Sequence, residues 1–439
     1  MTATEQQLQD APARTAPQIA REAGINPLDY LIERGYVQDV TNPDALRTAF
    51  ASGPVTAYVG FDPTARSLHV GHMMGIMALA TLQRFGHRPI ALGGGGTVMV
   101  GDPSGKTSTR PQMTIEAIQD NLSNILTQFD RYIDFAGGRF GDNPPAILAN
   151  NADWLLELRY IEFLREIGRH FSVNEMLATD TYRTRLETTG LNFVEFNYRL
   201  VQSYDFLHLY RTYDCRLQMG GTDQWSNIVA GVDLVRRVES ADVFAVVWPL
   251  LTTASGQKMG KSEGNSLWLD PTMTSPYDFY QYWVNVDDAD VEKLLRLYTF
   301  LPMERIRELT SVDGAALREA KQALAHEVTE LTHGTEATAE AEAASRALFG
   351  GGKATIDDSS IPTATIAASD VATGEITIAE AFVRSGLCGS RGEARRLAQQ
   401  GGLSIDDEKI DDVDQPFTQT SGAALFRVGK KRYMRVVVE

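Results

Sequence analysis

The stretch YVGFDPTARSLHVGHMMGIMALATL, from Tyr58 to Leu82, decides the fold. It begins within an apolar run that extends from Val55 to Phe61. The β-branched and aromatic residues of this run favour a buried strand. Asp62 and Pro63 break the run, and a helical pattern of apolar residues follows. A strand, a turn and a polar helix start predict an anion site, because the first N–H groups of a helix are unpaired and carry partial positive charge.

His69, Gly71 and His72 lie at the start of that predicted helix. The two histidines are three residues apart, so they share one face of the helix. Gly71 has no side chain, so a flat ring could lie against the backbone there. We predict that these residues contact a phosphate-bearing ligand. The alternative is two structural histidines on an ordinary helix.

The segment after this helix, HRPIALGGGGTVMVGDPSG, contains a short buried strand from Pro89 to Leu92. Strand, helix and strand in this order form a βαβ unit, which implies a parallel sheet. The apolar run VFAVVWPLL at 243–251 predicts another buried parallel strand. We therefore predict an α/β protein with a Rossmann-like parallel-sheet catalytic domain, followed by an α-helical domain and a small α+β C-terminal domain.

Composition bounds the class of protein and its partners. Hydrophobic residues make up 43% of the 439 residues and charged residues 22%, which is typical of globular proteins of several domains. Two cysteines provide neither a disulfide framework nor a zinc cluster, and the N-terminus lacks a signal peptide pattern. No apolar run is long enough to span a membrane. We expect a cytoplasmic protein without a membrane partner.

The charge distribution is uneven along the chain. The net charge is -16, which taken alone argues against a nucleic-acid partner, and we expect no DNA partner. Residues 374–439 nevertheless hold ten Lys and Arg against ten Asp and Glu, so this tail carries no excess of negative charge. Its basic residues cluster in two groups, at Arg391, Arg395 and Arg396 and at Lys430–Arg435. The tail is therefore relatively basic compared with the rest of the chain, and its positive charges are clustered.

One predicted helix, within residues 191–213, carries a polar stripe. Tyr198, Gln202 and Asp205 follow the spacing i, i+4, i+7 and point the same way. Aromatic and aliphatic residues lie on both sides of the stripe, which favours a polar pocket. A solvated helix face is the alternative.

Two polar, glycine-rich loops contain lysine, which is rare in this chain. GDPSGKT at 101–107 does not have the glycine spacing of a P-loop, but Lys106 and Arg110 could reach a phosphate. TTASGQKMGKSEGNSLWLD at 252–270 carries Lys258 and Lys261. Plain surface loops are the alternative for both segments.

We expect five segments along the chain. They are an N-terminal extension at 1–25, the catalytic domain at 26–251, a loop and helical domain at 252–350, a linker at 351–374 and a terminal domain at 375–439.

These pieces together resemble a known family. HVGH at 69–72 and KMGKS at 258–262 resemble the two signatures of class I aminoacyl-tRNA synthetases, and the tail resembles an S4-like RNA-binding domain. The strings YVGFDPTA, GDPSGK, YDFLHLY and LQMGGTDQW are similar to those of bacterial-type tyrosyl-tRNA synthetases. The resemblance extends from about residue 25 to the end of the chain. It implies that the helical domain at 252–350 binds the tRNA anticodon.

The resemblance also implies a role for each matching residue. Catalysis would use Thr64, His69, His72, Lys106, Arg110, Lys258 and Lys261. Tyrosine would be held by Tyr58, Asp102, Tyr198, Gln202, Asp205 and Gln224. ATP would contact Asp62, His69, Gly71, His72, Gly221, Asp223, Lys258, Met259, Lys261 and Ser262. Three departures stand out: Val59, where many relatives carry Cys, Gly260 in the second signature, and the GGGGTV run.

The implied reaction is ligation of tyrosine to tRNA in two steps. Tyrosine and ATP would form tyrosyl-adenylate and pyrophosphate, and tyrosine would then pass to the 3′ end of tRNA(Tyr). ATP would act as a substrate with Mg²⁺, without a tightly bound cofactor or a metal site in the protein, and the resemblance implies a homodimer. Three alternatives remain: a tryptophanyl-tRNA synthetase, a small-molecule nucleotidylyltransferase and a non-catalytic RNA-binding protein.

Overall fold

The computed structural model describes residues 14–104, 113–252, 259, 261–262, 265–349, 363–372, 374, 376–406, 408–419, 421–429 and 432–439. They fall into two compact units. Unit 1 consists of residues up to Thr274 together with Tyr282–Thr332, and unit 2 consists of Ser275–Gln281 and His333–Glu439. No helix in the described part of the chain is long and apolar enough to cross a membrane.

Unit 1 is built on a six-stranded sheet in the order β1-β6-β5-β2-β3-β4. Five of its strands are mutually parallel, and only the short edge strand β1 runs antiparallel to its neighbour. The predicted α/β fold with a Rossmann-like parallel sheet is therefore confirmed. The strands are β1 (Asp39–Val40), β2 (Thr56–Phe61), β3 (Arg88–Gly93), β4 (Ile147–Asn150), β5 (Cys215–Gly221) and β6 (Phe244–Trp248).

Helices alternate with these strands along the chain. Those before β5 are α1 (Ala16–Glu22), α2 (Pro27–Arg34), α3 (Pro43–Ser52), α4 (Val70–Arg84), α5 (Thr97–Val100), α6 (Ile115–Thr127), α7 (Ala152–Leu155), α8 (Tyr160–Glu166), α9 (Val173–Leu177), α10 (Asp180–Thr188), α11 (Phe193–Phe196) and α12 (Tyr198–Tyr213). Those after β5 are α13 (Trp225–Glu239), α14 (Pro276–Val284), α15 (Val291–Tyr298), α16 (Met303–Thr310) and α17 (Arg318–His333). The boundary between the units falls within α14 and before the last residue of α17.

The sequence explains why the centre of the sheet is buried. Every residue of β2 except Gly60 is buried, and β6 is buried along its whole length. A parallel strand that is covered on both faces needs such a continuous apolar run. Strand β2 lies between β3 and β5. The strands that follow it in the chain are added on one side as β3 and β4 and on the other side as β5 and β6, so the strand order reverses beside β2. In open parallel sheets this is where ligands bind, at the carboxyl ends of the strands.

The segment 191–213, in which one helix was predicted, contains two helices. Asn197 ends α11, and α12 begins at Tyr198. The side chain of Asn192 caps α11 by accepting a hydrogen bond from the backbone of Glu195. The polar stripe therefore begins at the first residue of α12, where it faces the sheet ends.

Unit 2 contains a five-stranded sheet in the order β11-β10-β12-β13-β9. Its strands are β9 (Thr363–Ile366), β10 (Leu403–Ile405), β11 (Glu408–Lys409), β12 (Gly422–Val428) and β13 (Arg432–Val438). Its further helices are α18 (Thr335–Phe349), α19 (Ala368–Ala372), α20 (Ile378–Arg384) and α21 (Arg391–Gln399). The rings of Phe382 and Phe426 lie 4.7 Å apart in its core. The predicted α+β character of the tail is confirmed.

The predicted linker at 351–374 is wrong from Thr363 onward. Thr363–Ile366 forms β9, which pairs in parallel with Arg435–Val438. A tract rich in Ala, Thr and Ser has weak hydrophobic periodicity. Its strand therefore could not be predicted from local sequence and is recognised only by its pairing with β13. The terminal sheet therefore begins before the predicted domain boundary at residue 375.

Candidate active site

A cavity of about 440 Å³ opens at the carboxyl ends of the parallel strands in unit 1. It is lined by most of the predicted site residues: Tyr58, Asp62, Thr64, His69, Gly71, His72, Asp102, Tyr198, Gln202, Asp205, Gly221, Asp223, Gln224 and Met259. Lys106, Arg110 and Lys258 lie outside the described residues, as do the side chains of Lys261 and Ser262. Residues that are 200 positions apart in the chain thus meet in one place, because several strands end there.

His69 and His72 are fixed at the start of α4 by the backbone. Nδ1 of His69 accepts a hydrogen bond from the backbone N–H of Gly71 at 3.0 Å, and Nδ1 of His72 accepts one from the backbone N–H of His69 at 3.2 Å. The two rings stack with centroids 3.9 Å apart. Because both Nδ1 atoms act as acceptors, each neutral ring carries its hydrogen on Nε2. The pair can therefore donate hydrogen bonds to an anion.

Gly71 is required by this arrangement. A Cβ atom added at this position would lie 2.7 Å from Cε1 of His69. Any side chain here would push the His69 ring out of its stack. The sequence suggested that glycine is needed here because a ligand approaches the backbone closely. The structure adds a second reason, which is the close contact with the His69 ring.

The chain that follows the second signature lies directly against the first signature. The backbone N–H of Val70 donates to the carbonyl of Leu267 at 3.0 Å, and that of Leu269 donates to the carbonyl of Leu68 at 2.9 Å. Met259 is buried and lines the cavity. Lys261 and Ser262 form β7 (Lys261–Ser262), which pairs with β8 (Asn265–Ser266). Main-chain hydrogen bonds therefore join the first signature to the segment that follows the second one.

Asp205 lies at the closed end of the cavity and is held by two donors that the sequence did not reveal. Asn151 donates from Nδ2 to one carboxylate oxygen at 2.9 Å, and Trp154 donates from Nε1 to the other at 2.8 Å. Burial raises the pKa of Asp205 to about 7, although both hydrogen bonds act in the opposite direction. Near neutral pH the carboxyl group is therefore divided between its protonated and ionised forms, and the ionised form is an oriented acceptor for a ligand hydroxyl.

Tyr58 points a hydroxyl into the same region. Its side chain is only 1% exposed, and its Oη has no hydrogen-bond partner among the described residues. Burial, with Asp205 nearby, raises the pKa of Tyr58 well above its usual value, so the phenol stays protonated. A buried polar group without a partner is costly, and such groups cluster where a ligand completes the network.

A second carboxylate, Asp102, lies on the other side of the cavity. It accepts hydrogen bonds from the backbone of Ser104 at 2.9 Å and from Nε2 of Gln224 at 2.7 Å. Asn227 in turn donates to Oε1 of Gln224 at 3.2 Å. Burial raises the pKa of Asp102 to about 6, so it is mostly ionised at neutral pH. It is well placed to attract a cationic group.

Asp62 links the two ends of the cavity. Thr97 donates from Oγ1 to one of its oxygens at 2.8 Å, and the hydroxyl of Tyr198 donates to the other at 3.4 Å. Asn151 also bonds Oγ1 of Thr97 at 3.0 Å, so one chain of contacts runs from Asp62 to Asp205. The cavity therefore combines three kinds of group. Tyr58 and Asp205 can bind a hydroxyl, Asp102 can bind a cation, and the pair of His69 and His72 can bind an anion.

Comparison with known proteins shows which family has this site. The family described as tRNA synthetases class I (W and Y) matches residues 51–350, and the tyrosine–tRNA ligase SYY-like C-terminal domain matches residues 358–436. The tyrosine–tRNA ligase of Clostridium beijerinckii is 51% identical over 417 residues, covering 94% of this chain and 100% of the relative. The chain belongs to the tyrosyl-tRNA synthetase family. The predicted family and the predicted enzyme class, an aminoacyl-tRNA synthetase, are therefore confirmed.

Solved structures of the family agree with the observed fold. The C-terminally truncated mitochondrial tyrosyl-tRNA synthetase of Aspergillus nidulans superposes with a TM-score of 0.68 at 32% identity, covering 76% of this chain and 97% of that one. The tryptophanyl-tRNA synthetase of Encephalitozoon cuniculi, at 12% identity and a TM-score of 0.53, shares the fold alone.

Four residues of the site had no predicted role. Asn151 and Trp154 follow β4, and a polar residue directly after a parallel strand is a signal that could have drawn attention to them. Thr97 lies in the glycine-rich run, where it resembled a loop residue. Gln218 lies within β5 and lines the cavity, and its Oε1 has no partner among the described residues.

Proposed function

We propose that this tyrosine–tRNA ligase activates L-tyrosine with ATP to form tyrosyl-adenylate and pyrophosphate, and then transfers tyrosine to the 3′ end of tRNA(Tyr). The observation that carries the proposal is the unpartnered hydroxyl of Tyr58 beside the oriented carboxylate of Asp205. A phenol placed between them donates to Asp205 and accepts from Tyr58. No apolar side chain satisfies both groups.

The amino group of tyrosine is assigned to Asp102, Tyr198 and Gln202. Asp102 supplies the negative charge, and burial makes this charge effective because few waters compete for it. Gln224, which holds Asp102, also lies at the cavity wall and is assigned to the tyrosine carboxylate. The substrate is thereby oriented along the cavity, with its carboxylate directed toward the histidine pair.

ATP is assigned to the end of the cavity at the start of α4. His69 and His72 donate from Nε2 to phosphate oxygens, Thr64 assists them, and the adenine lies over Gly71. The ribose is assigned to Asp223, with Asp62 and Gly221 nearby. Mg²⁺ enters with the triphosphate as part of the substrate. The remaining contacts to the pyrophosphate are assigned to Lys106, Arg110, Lys258 and Lys261, together with Met259 and Ser262.

The chemistry of the first step needs no general base. The tyrosine carboxylate is ionised at neutral pH, and it attacks the α-phosphorus directly while pyrophosphate leaves. Rate enhancement comes from alignment of the two substrates and from donors aimed at the oxygens that gain charge. The hydrogen bonds that fix His69 and His72 support this role, because preorganised donors need little rearrangement during the reaction.

Amino-acid-dependent exchange of pyrophosphate into ATP tests the proposal. Tyrosine should support exchange, tryptophan and phenylalanine should not, and Asp205→Ala should abolish exchange with the thermal transition intact. Aminoacylation should require tRNA(Tyr). Exchange with tryptophan instead of tyrosine, or wild-type exchange by Asp205→Ala, would refute the assignment.

The loop lysines can be tested separately. Lys258→Ala and Lys261→Ala should slow adenylate formation in single turnovers far more than they weaken tyrosine binding, because pyrophosphate gains charge only as it leaves. Lys321→Ala is a matched control, since Lys321 lies on α17 and forms an ion pair with Asp288. Unchanged single-turnover rates in the loop variants would contradict the role of this loop.

The tRNA is assigned to the helical segment at 252–350 and to the terminal domain at 375–439. Arg391 and Arg395 of α21 are bound to Glu380 and Asp414, so the basic group that the sequence suggested is partly neutralised within the protein. Arg396 is exposed and takes part in no ion pair among the described residues. It is the best candidate on α21 for contact with an RNA phosphate.

A homodimer is supported by exposed apolar side chains in unit 1. Between residues 148 and 194 the structure exposes Leu148, Leu156, Tyr160, Ile161, Val173, Leu186, Phe193 and Val194. Such exposure along one segment is typical of an interaction surface. Ile161→Glu combined with Phe193→Glu should yield a monomer in sedimentation velocity, whereas the control Ile115→Glu should not.

The cytoplasm is the proposed location. Cys215 and Cys388 are both buried free thiols, which suits a reducing compartment.

A further inference from the structure

A second cavity, of about 430 Å³, lies in unit 1. None of the residues that line it also lines the cavity at the sheet ends. Its walls come from the segment 170–179, from the first turn of α12 and from one face of α13 between Trp225 and Arg237. Large apolar side chains contribute five of the fourteen lining residues, namely Phe171, Met176, Trp225, Val229 and Leu234, and charged side chains contribute Glu175, Arg199, Asp233 and Arg237. A cavity of this size that combines apolar walls with polar groups is typical of a small-molecule site.

Arg199 is the unusual member of this lining. Its side chain is only 5% exposed, yet it forms no ion pair with any described residue. Nη2 donates to Oγ1 of Thr179 at 3.0 Å, and Cζ lies 4.8 Å from the ring centroid of Tyr182. Nε has no hydrogen-bond partner in the part of the chain that the structure describes. Protein interiors seldom hold a charge in this state, because a buried charge needs a counter-charge.

A neighbouring buried arginine, Arg185, has the counter-charge that Arg199 lacks among the described residues. Arg185 is also buried, and it forms a two-pronged ion pair with Glu195 at 3.0 Å. Glu195 is thereby committed to Arg185, so it is not a counter-charge for Arg199. On the rim of the cavity, Asp233 is similarly engaged by Arg236 at 2.7 Å.

A second polar group in the lining also lacks a partner. Oγ of Ser226 is buried, without a hydrogen bond to any described residue. Ser226 follows Trp225 at the start of α13, so a donor, a guanidinium and an indole ring line one cavity. The guanidinium needs an anion, and the surrounding rings and aliphatic groups favour an apolar body.

We propose that this cavity is a binding site for a small organic carboxylate with an apolar or aromatic body. The carboxylate pairs with Arg199 and accepts a hydrogen bond from Ser226, because the planar guanidinium fork matches a carboxylate. The body of the ligand packs between Trp225, Phe171 and Met176. Inorganic phosphate alone would leave those walls uncovered. This site is independent of the proposed reaction, since it uses none of the residues assigned to tyrosine or ATP.

The test uses 3-phenylpropanoate as the probe and its amide as the neutral match. Isothermal titration is carried out on the full chain with L-tyrosine at saturation, so that the cavity at the sheet ends is occupied. One probe molecule should bind per chain, and the amide should bind at least about tenfold more weakly, since it lacks the charge.

Two variants address the cavity by different routes. Arg199→Gln should weaken probe binding at least about tenfold by removing the counter-charge. Ala230→Phe should abolish binding by filling the cavity, while Arg199 remains in place. Arg211→Gln is the matched control, because Arg211 is an exposed residue of the same helix that pairs with Glu239 at 2.7 Å, and this variant should bind like the wild type.

Several results would overturn the proposal. Among them are no binding of the probe, loss of binding when tyrosine saturates its own site, and equal affinity in Arg199→Gln and Arg211→Gln. Phosphate that binds as tightly as the probe would overturn the ligand class. Each readout is a binding measurement, so it stands or falls separately from pyrophosphate exchange.

Discussion

The indole nitrogen of Trp154 donates a hydrogen bond to Asp205, with 2.8 Å between Nε1 and Oδ1. The indole is held in turn by His208, whose ring stacks on it at a centroid distance of 4.3 Å. The group assigned to the substrate hydroxyl is therefore oriented by residues that lie behind it. Recognition of the substrate hydroxyl can therefore be tested separately from the rest of substrate binding, by changing Trp154.

Replacing Trp154 by Phe should reduce discrimination between substrates. We expect kcat/KM for tyrosine to fall about 10- to 100-fold in pyrophosphate exchange, because a hydrogen bond to a charged group is worth about 1.5–3 kcal/mol. The residual activity with phenylalanine should change little, since phenylalanine carries no hydroxyl. An equal loss for both amino acids would indicate general damage to the cavity.

Replacing Tyr58 by Phe should separate activity from stability. The hydroxyl of Tyr58 has no partner within the described structure, so its removal should not lower the free energy of unfolding. In contrast, kcat/KM for tyrosine should fall about tenfold because a hydrogen bond to the phenol is lost.

Tyr298→Phe provides the matched comparison. The hydroxyl of Tyr298 is buried and donates to the carbonyl of Val70 at 3.1 Å, so this variant should lose about 1 kcal/mol of stability in urea unfolding. A destabilised Tyr58→Phe variant would mean that the hydroxyl has a structural partner.

Tyrosine binding should depend on pH through Asp102. Its pKa of about 6 means that the carboxyl becomes neutral below that pH and no longer attracts the ammonium group. KM for tyrosine should therefore rise as the pH falls from 7 to 5, approaching about tenfold per pH unit at the acid end. Asp102→Asn should show a high KM that varies much less over the same range. A wild-type KM without this dependence would contradict the assignment.

Asp205 should reduce the stability of the ligand-free protein at neutral and higher pH. Its pKa rises from 3.8 to about 7 on folding, so the folded chain holds this proton more tightly than the unfolded chain. The contribution of Asp205 to stability is therefore lost as the pH rises from about 4 to about 7.

The Asp205→Asn variant has no titrating group at this position. Relative to the wild type, its free energy of unfolding should rise by about 2–4 kcal/mol between pH 4 and pH 8. Urea titrations of both proteins across this range measure the difference. A difference that is constant with pH would show that Asp205 keeps an ordinary pKa.

Removal of the terminal domain should separate the two reaction steps. Because β9 pairs with β13, the chain should be cut before Thr363 and not within α19. The shortened protein should retain tyrosine-dependent pyrophosphate exchange and lose most aminoacylation of tRNA(Tyr). A cut after Asp370 leaves β9 without its partner and provides a comparison. Full aminoacylation by the shortened chain would contradict a role for the tail in tRNA binding.

Local patterns in the sequence predicted the elements that carry the site. The strand, turn and helix around His69, the buried run of β6 and the stripe of Tyr198, Gln202 and Asp205 all follow from short-range periodicity. Each depends on alternation or helical spacing within a few residues, so each is visible before folding. The family strings extended this knowledge to residues such as Asp102 and Gln224.

Tertiary structure alone decided which groups these residues meet. Asn151 and Trp154, which follow β4, reach Asp205 on α12 although more than 50 positions separate them in the chain. Strand β9 exists because β13 offers it hydrogen bonds. The sequence by itself thus determined the helices, the buried strands and the types of group at the site. Folding decided the hydrogen-bond partners and which polar groups are left without one, because burial and pairing depend on contacts between distant segments.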